Sequence, residues 1–188
     1  MNLRDILWQL LLWGALPAWL AAGAADWICH RRTHIERTSG PKESALHLLL
    51  YLQIALPLVL ALFFQTTAAL LAIMAGGVMA HMLTSWWDTA LAQPRRHIAP
   101  IEQQVHSWLE MLPLFALVVV TALHAPEIRQ PRWVLLPRGE ELPPSIRTGI
   151  LIVLTVGVLP ILQELLRGWR AARVSASAVR LPGADPRR

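Results

Sequence analysis

Apolar residues fill five stretches of the chain, roughly 6–28, 45–64, 66–88, 105–124 and 147–166, and polar residues gather between them. Each stretch is close to the ~20 residues that an α-helix needs to cross a bilayer core. A tight turn near Gln65-Thr66-Thr67 joins the second stretch to the third, so these two predict a helical hairpin. Pro57, Pro113 and Pro160 lie inside stretches, where membrane helices tolerate them as kinks. Residues 125–146 carry Pro126, Pro131, Pro137, Pro143 and Pro144 and predict an irregular or short interfacial connection. The chain after Arg170 reads as a disordered tail, 171–188, which leaves 1–170 as one domain. The pattern therefore predicts an all-α integral membrane bundle of about five transmembrane helices.

Composition agrees. The 188 residues are 55% hydrophobic with a mean hydropathy of +0.44, which excludes disorder and argues against an ordinary soluble domain. A single cysteine, Cys29, excludes an internal disulfide and a thiolate-based zinc or iron–sulfur site. No Gly-rich phosphate loop or dinucleotide fingerprint is present. The formal charge of +5 is almost all arginine, with Lys42 the only lysine. In such a chain a basic excess sets topology rather than binding nucleic acid.

Arg31, Arg32, Arg37, Lys42, Arg95, Arg96, Arg167, Arg170, Arg173, Arg180, Arg187 and Arg188 fall on one side of a five-span arrangement. Only Arg4, Arg129, Arg132, Arg138 and Arg147 fall on the other. By the positive-inside rule the first set is cytoplasmic, the N-terminus is outside and the C-terminus is inside. Trp27, Trp86, Trp87, Trp108 and Trp169 fit an aromatic belt on the cytoplasmic side. The run Ala21-Ala22-Gly23-Ala24-Ala25 also has the composition of a signal-peptide cleavage region. The uncharged balance of Met1 to Asp5 favours an uncleaved first span. The expected location is the cytoplasmic (inner) membrane.

Chemistry-bearing residues concentrate at one end of these spans. His30, His34, His47, His81, His97 and His106 sit there with Asp26, Glu36, Glu43, Asp88, Glu102 and Glu110. Ionisable groups at membrane depth are costly and mark function. Imidazoles mixed with carboxylates suit iron, manganese or zinc. Asp26, His30 and His34 are spaced i, i+4, i+8, so they share a face if the first helix continues past the membrane. Pro41 and Pro100 are suitable first-turn residues for the second and fourth helices. Glu43 and His47 follow the first of these, and Glu102, His106 and Glu110 the second, again at four-residue steps. These ExxxH pairs parallel the Glu-x-x-His pairs of soluble di-iron bundles. His81 and Asp88 lie two turns apart on one face of the third helix, with His81 the deepest.

The HxxxH pair at His30 and His34, with further histidines on later spans, resembles the integral-membrane histidine-motif di-iron enzymes, the fatty acid hydroxylases and desaturases. The resemblance is one of architecture, a small helical bundle with metal at its cytoplasmic mouth. Separately, His30-Arg31-Arg32-Thr33-His34 is similar to the HR-x-TH stretch of inner-membrane metal-dependent hydrolases.

The expected function is a di-metal oxidoreductase that hydroxylates or desaturates a lipid or other hydrophobic molecule, with electrons from a separate reductase. Two metal ions are implied, iron first, with zinc or manganese as alternatives. His30, His34, Glu36, Glu43, His47, His81, Asp88, Glu102 and His106 are the expected ligands. Asp26, Glu110, Arg95, Arg96 and His97 surround them. No catalytic group is assigned beyond the ligands. A zinc-dependent hydrolase of a lipid-like ester is the second reading. The third is an ion or proton carrier, or a haem-binding electron-transfer subunit with His47 and His106 as axial ligands. The topology itself is testable. Reporter fusions after Arg37 and Arg96 should read cytoplasmic and fusions after Arg132 external; the reverse pattern would overturn the orientation.

Overall fold

The structure is a computed structural model and describes residues 2–139 and 142–179. Its long helices are α1 (Leu3–Arg32), α2 (Pro41–Phe63), α3 (Ala68–Ala92), α4 (Pro100–Leu123) and α6 (Pro144–Val179), with a single short turn of helix, α5 (Ala125–Arg129), after the fourth. All five long helices are long and apolar enough to cross a membrane, and the protein is a multi-pass membrane protein. No strand forms among the described residues.

Local chemistry sets the helix ends. Asn2 and Asp5 form a reciprocal capping box at the start of α1, and Thr67 caps α3 through the Leu70 N–H. Pro41 and Pro100 begin α2 and α4 as the sequence predicts. At the end of α1, His34 takes a left-handed conformation (φ 51°) and the Ile35 N–H returns to the His30 carbonyl at 3.3 Å. This is a Schellman-type stop. The Ile35 side chain that follows is fully buried and pins the turn.

The chain departs from expectation at two places. Residues 171–179 continue α6 rather than forming a disordered tail; Ala171, Ala172, Arg173 and Ala176 are strong helix formers. Residues 180–188 lie outside the described residues. The proline-rich connection is irregular but tied down. Its residues 132–138 run against the α2–α3 turn through Gln65 N–H to Leu136 carbonyl (2.8 Å), Thr67 Oγ1 to Val134 carbonyl (2.8 Å) and Arg138 N–H to Phe63 carbonyl (2.7 Å).

The principal helix contacts close into a ring: α1 on α4, α4 on α3, α3 on α2, α2 on α6, and α6 back on α1. No span runs down the middle. The space inside is lined partly by a core around Trp19, Ala55, Leu62, Ile150 and Leu154, and partly by cavities. The outer faces carry exposed Leu56, Leu83, Val118, Ile152, Val156 and Leu159, as hydrocarbon surroundings require.

The tightest crossing is α2 against α3. Pro57 has no N–H, so the Gln53 carbonyl four residues earlier loses its helical partner. Gly77 packs against that carbonyl: a Cβ there would lie 2.5 Å from Gln53 O and 2.9 Å from Pro57 Cγ. Small residues let membrane helices approach in this way. Gly77→Ala should therefore lower thermal stability, by about 1–3 kcal/mol. Gly76→Ala should not, because nothing lies within 4 Å of its Cβ position. Equal melting of the two variants would remove this account of the crossing.

Candidate metal centre

Every long helix contributes a side chain to one buried cluster. Asp26 and His30 come from α1, Glu43 and His47 from α2, Asp88 from α3, Glu102 and His106 from α4, and Glu164 from α6. The four-residue spacings read from the sequence do place Asp26 with His30, Glu43 with His47, and Glu102 with His106 on inward faces.

Glu164 organises the histidines. Its Oε2 lies 3.1 Å from His30 Nδ1 and its Oε1 lies 2.7 Å from His47 Nδ1. The two imidazoles stack in parallel, with centroids 4.3 Å apart and planes 5° from coplanar. A carboxylate accepting both Nδ1–H bonds selects the tautomer that leaves each Nε2 lone pair free. His30 Nε2 then faces Asp26 Oδ1 and Glu102 Oε1, each at 3.4 Å. His106 Nε2 lies 2.9 Å from the same Asp26 oxygen. His47 Nε2 faces Asp88 Oδ2 at 3.3 Å.

Arg96 closes the cluster from the α3–α4 loop. Its Nη1 and Nη2 donate to the two oxygens of Glu102 at 2.9 and 2.5 Å, and its Nε and Nη2 donate to Glu43 Oε1 at 3.1 and 2.5 Å. The two carboxylates are fully buried and the guanidinium nearly so. Burial works against the Arg96 charge, but the bonds to Glu102 and Glu43 outweigh it and raise its pKa further above the ordinary arginine value.

The donor set fits a cation. Ligand atoms of Asp26, His30, Glu102 and His106 all lie within 4.8 Å of one another, as do those of His30, Glu43 and His47. An ion with bonds of about 2.1 Å separates its donors by about 3–4 Å, which the 3.4 Å contacts of His30 match. Asp88 Oδ1 is buried with no hydrogen-bond partner among the described residues, and His30 Nε2 meets only carboxylate oxygens, at 3.4 Å. Such orphaned buried atoms are expensive unless something binds them. Five carboxylates face one arginine and three imidazoles, so a bound cation would take over charge balance from the imidazoles.

Several expected ligands stand elsewhere. His34 is exposed because α1 stops before it and the left-handed turn swings it outward, so Asp26, His30 and His34 do not share a face. Glu36 pairs with Arg167 (2.7 Å). Burial alone would raise that carboxyl, but a backbone hydrogen bond and Arg167 hold it below the ordinary glutamate value. His81 sits deeper than the cluster, and its Nδ1 donates to the Leu50 carbonyl at 3.1 Å, tying α3 to α2. Glu43, by contrast, stays with His30 and His47 as a candidate ligand; like Glu102, it accepts from Arg96 through both oxygens. Of the surrounding residues, Glu110 accepts a hydrogen bond from Ser85. Arg95 is exposed and donates to its own helix at Leu91, and His97 is exposed as well.

Glu164 went unweighed in the sequence reading. The signal was there: it is a carboxylate within the last apolar stretch, 147–166. No family model, characterised protein or solved structure matches the chain.

Arg96 generates a direct test. Arg96→Met should cost about 3–5 kcal/mol, because it strands two buried carboxylates. Adding Glu43→Gln to that variant should recover part of the loss. Thermal unfolding in detergent measures both, and an additive penalty would show that the clamp contributes nothing.

Proposed function

We propose that this protein is a metal-dependent membrane oxidoreductase that hydroxylates or desaturates a hydrophobic molecule at the cytoplasmic side of the inner membrane. The observation that carries the reading is the placement of the donor set. Asp26, His30, His47, Asp88, His106 and Glu164 form one wall of a cavity of about 440 Å³ whose remaining walls are mostly apolar, among them Leu20, Leu50, Leu109, Val153 and Ile161. A cavity of this size suits a lipid-like molecule, with its reactive carbon against the histidines and its tail below.

The residues divide by role. Asp26, His30, Glu102 and His106 would hold one ion, and His47 with Asp88 would contribute to a second. Glu164 orients both stacked histidines, and Arg96 fixes Glu102 from behind. Carboxylate-rich donors with three imidazoles favour iron or manganese. When bound, iron supplies O2 activation and the oxidising power for C–H cleavage. Hydroxylation places one oxygen atom in the C–H bond and the other in water, with two electrons and two protons from a separate reductase. The apolar walls exclude bulk water from the reacting carbon. The cluster's own carboxylates and imidazoles form one connected chain along which protons can move, Asp26 to His30, Glu164, His47 and Asp88.

A second reading is favoured by the four-donor group alone. Asp26, His30, Glu102 and His106 suffice for one zinc, whose bound water could attack an ester. Elemental analysis of detergent-purified protein, with an optical spectrum on the same sample, separates the readings. About two irons per chain and no Soret band are expected; zinc alone favours hydrolysis, and no metal after reconstitution overturns both. Glu164→Gln should weaken metal affinity about 10–100-fold. Unchanged affinity would remove Glu164 from its orienting role.

A further inference from the structure

The helices line two cavities, one above the other, and the inner one reaches the exposed face of α6 at Ile152 and Val156. The inner one, about 440 Å³, ends at the metal-binding cluster. The outer one, about 710 Å³, opens at the opposite end beneath the strap of residues 132–138. A single residue, Trp19, lines both. The boundary is thin on every helix around it. On α2 it falls between Tyr51 and Gln53, on α4 between Leu109 and Leu112, and on α6 between Ile150 and Ile152.

Trp19 is held in place by its neighbours. Its ring stacks on Tyr51 with centroids 5.9 Å apart and planes 17° from parallel. Tyr51 in turn donates its hydroxyl to the Leu154 carbonyl at 2.5 Å. Gly157 leaves the space this needs: a Cβ there would sit 3.4 Å from the phenol oxygen. A π-helical segment, Leu10–Ala15, and Pro17 precede Trp19 and offset the register of α1 before it. π-turns inside helices recur at functional positions. The indole Nε1 is buried and has no hydrogen-bond partner.

We propose that Trp19 is the specificity-determining stop that sets how long an apolar tail the inner cavity accepts. The ligand class is a neutral amphiphile whose polar end lies among the histidines and whose tail runs toward Trp19. Seven residues of α1 separate Trp19 from Asp26, a rise of about 10 Å, so tails extending further must bend or clash. The acidic lining argues for an uncharged polar end, since an anionic one would meet the carboxylates of Asp26, Asp88 and Glu164. The proposal rests on the reading that a hydrophobic molecule occupies the inner cavity, and it is independent of which metal is bound.

The test uses the full-length protein in detergent, stripped of metal, and a homologous series of primary n-alkanols. Apparent Kd values come from displacement of a fluorescent alkyl probe, corrected for partition into the micelle. For the unaltered protein, Kd should fall about fourfold per added methylene and then stop falling at one chain length. Trp19→Ala should move that plateau to longer tails, and Trp19→Leu should move it less. Trp19→Ala combined with Ala116→Phe, which fills the outer cavity, should move it back. Melting temperatures identify any variant that has not folded, and Trp19→Leu carries the comparison if Trp19→Ala has not. A plateau at the same length in every folded variant, or no plateau in the unaltered protein, overturns the proposal. Because metal and turnover play no part in the assay, such a result leaves the oxidoreductase reading standing. Conversely, a protein that never binds metal can still show the plateau.

Discussion

The clamp of Arg96 between Glu43 and Glu102 is the interaction on which the rest of this architecture depends. Two fully buried carboxylates from different helices would repel each other and carry a large desolvation penalty. The guanidinium converts that repulsion into a link between the starts of α2 and α4, since its planar fork reaches both acids at once. With those two starts held, His47 and His106 lie one helical turn further in and are brought to matched depth. Glu102 can then present an oxygen to His30 while its other contacts are satisfied. The geometry of the candidate metal centre is thus built on a protein cation that is permanently present.

Much of the fold is legible in the chain because hydrocarbon tolerates so few alternatives. The five apolar stretches become the five long helices, and Pro41 and Pro100 start helices as their fixed φ suggests. The cluster is legible for a related reason. Glu43 with His47, and Glu102 with His106, stand four residues apart just after those prolines, so helix geometry alone turns each pair to one side. Helix ends were harder to read. No glycine follows Arg32, and nothing local distinguishes His34 as the residue that adopts the left-handed turn; the buried Ile35 decides it. Partner choice was harder still. Arg96 and Arg95 look alike as neighbouring loop arginines, yet one is buried among acids and the other is exposed, because only the packing of α2 against the α3–α4 loop distinguishes them.

His81 shows how depth misleads. It lies in the wall of the same cavity, so a sequence argument from burial and face points to it. Its ring instead serves a neighbouring helix's backbone. In a membrane interior an imidazole must find some partner, and the nearest available acceptor was a carbonyl rather than an ion. The same logic places Ser85 with Glu110: both are polar groups inside spans that resolve their needs pairwise, away from the cluster.

The order of the ring has a consequence for how the molecule is made. Glu164, which sets both stacked histidines, belongs to a helix made after the other four spans, and that helix closes the circle by packing on α2 and α1. Until it docks, the four earlier spans carry Asp26, Glu43, Asp88 and Glu102 in a lipid environment with only Arg96 to balance them. The four-span intermediate is therefore an open, acid-lined crescent, and any cation it captured would be held without the residue that aims His30 and His47.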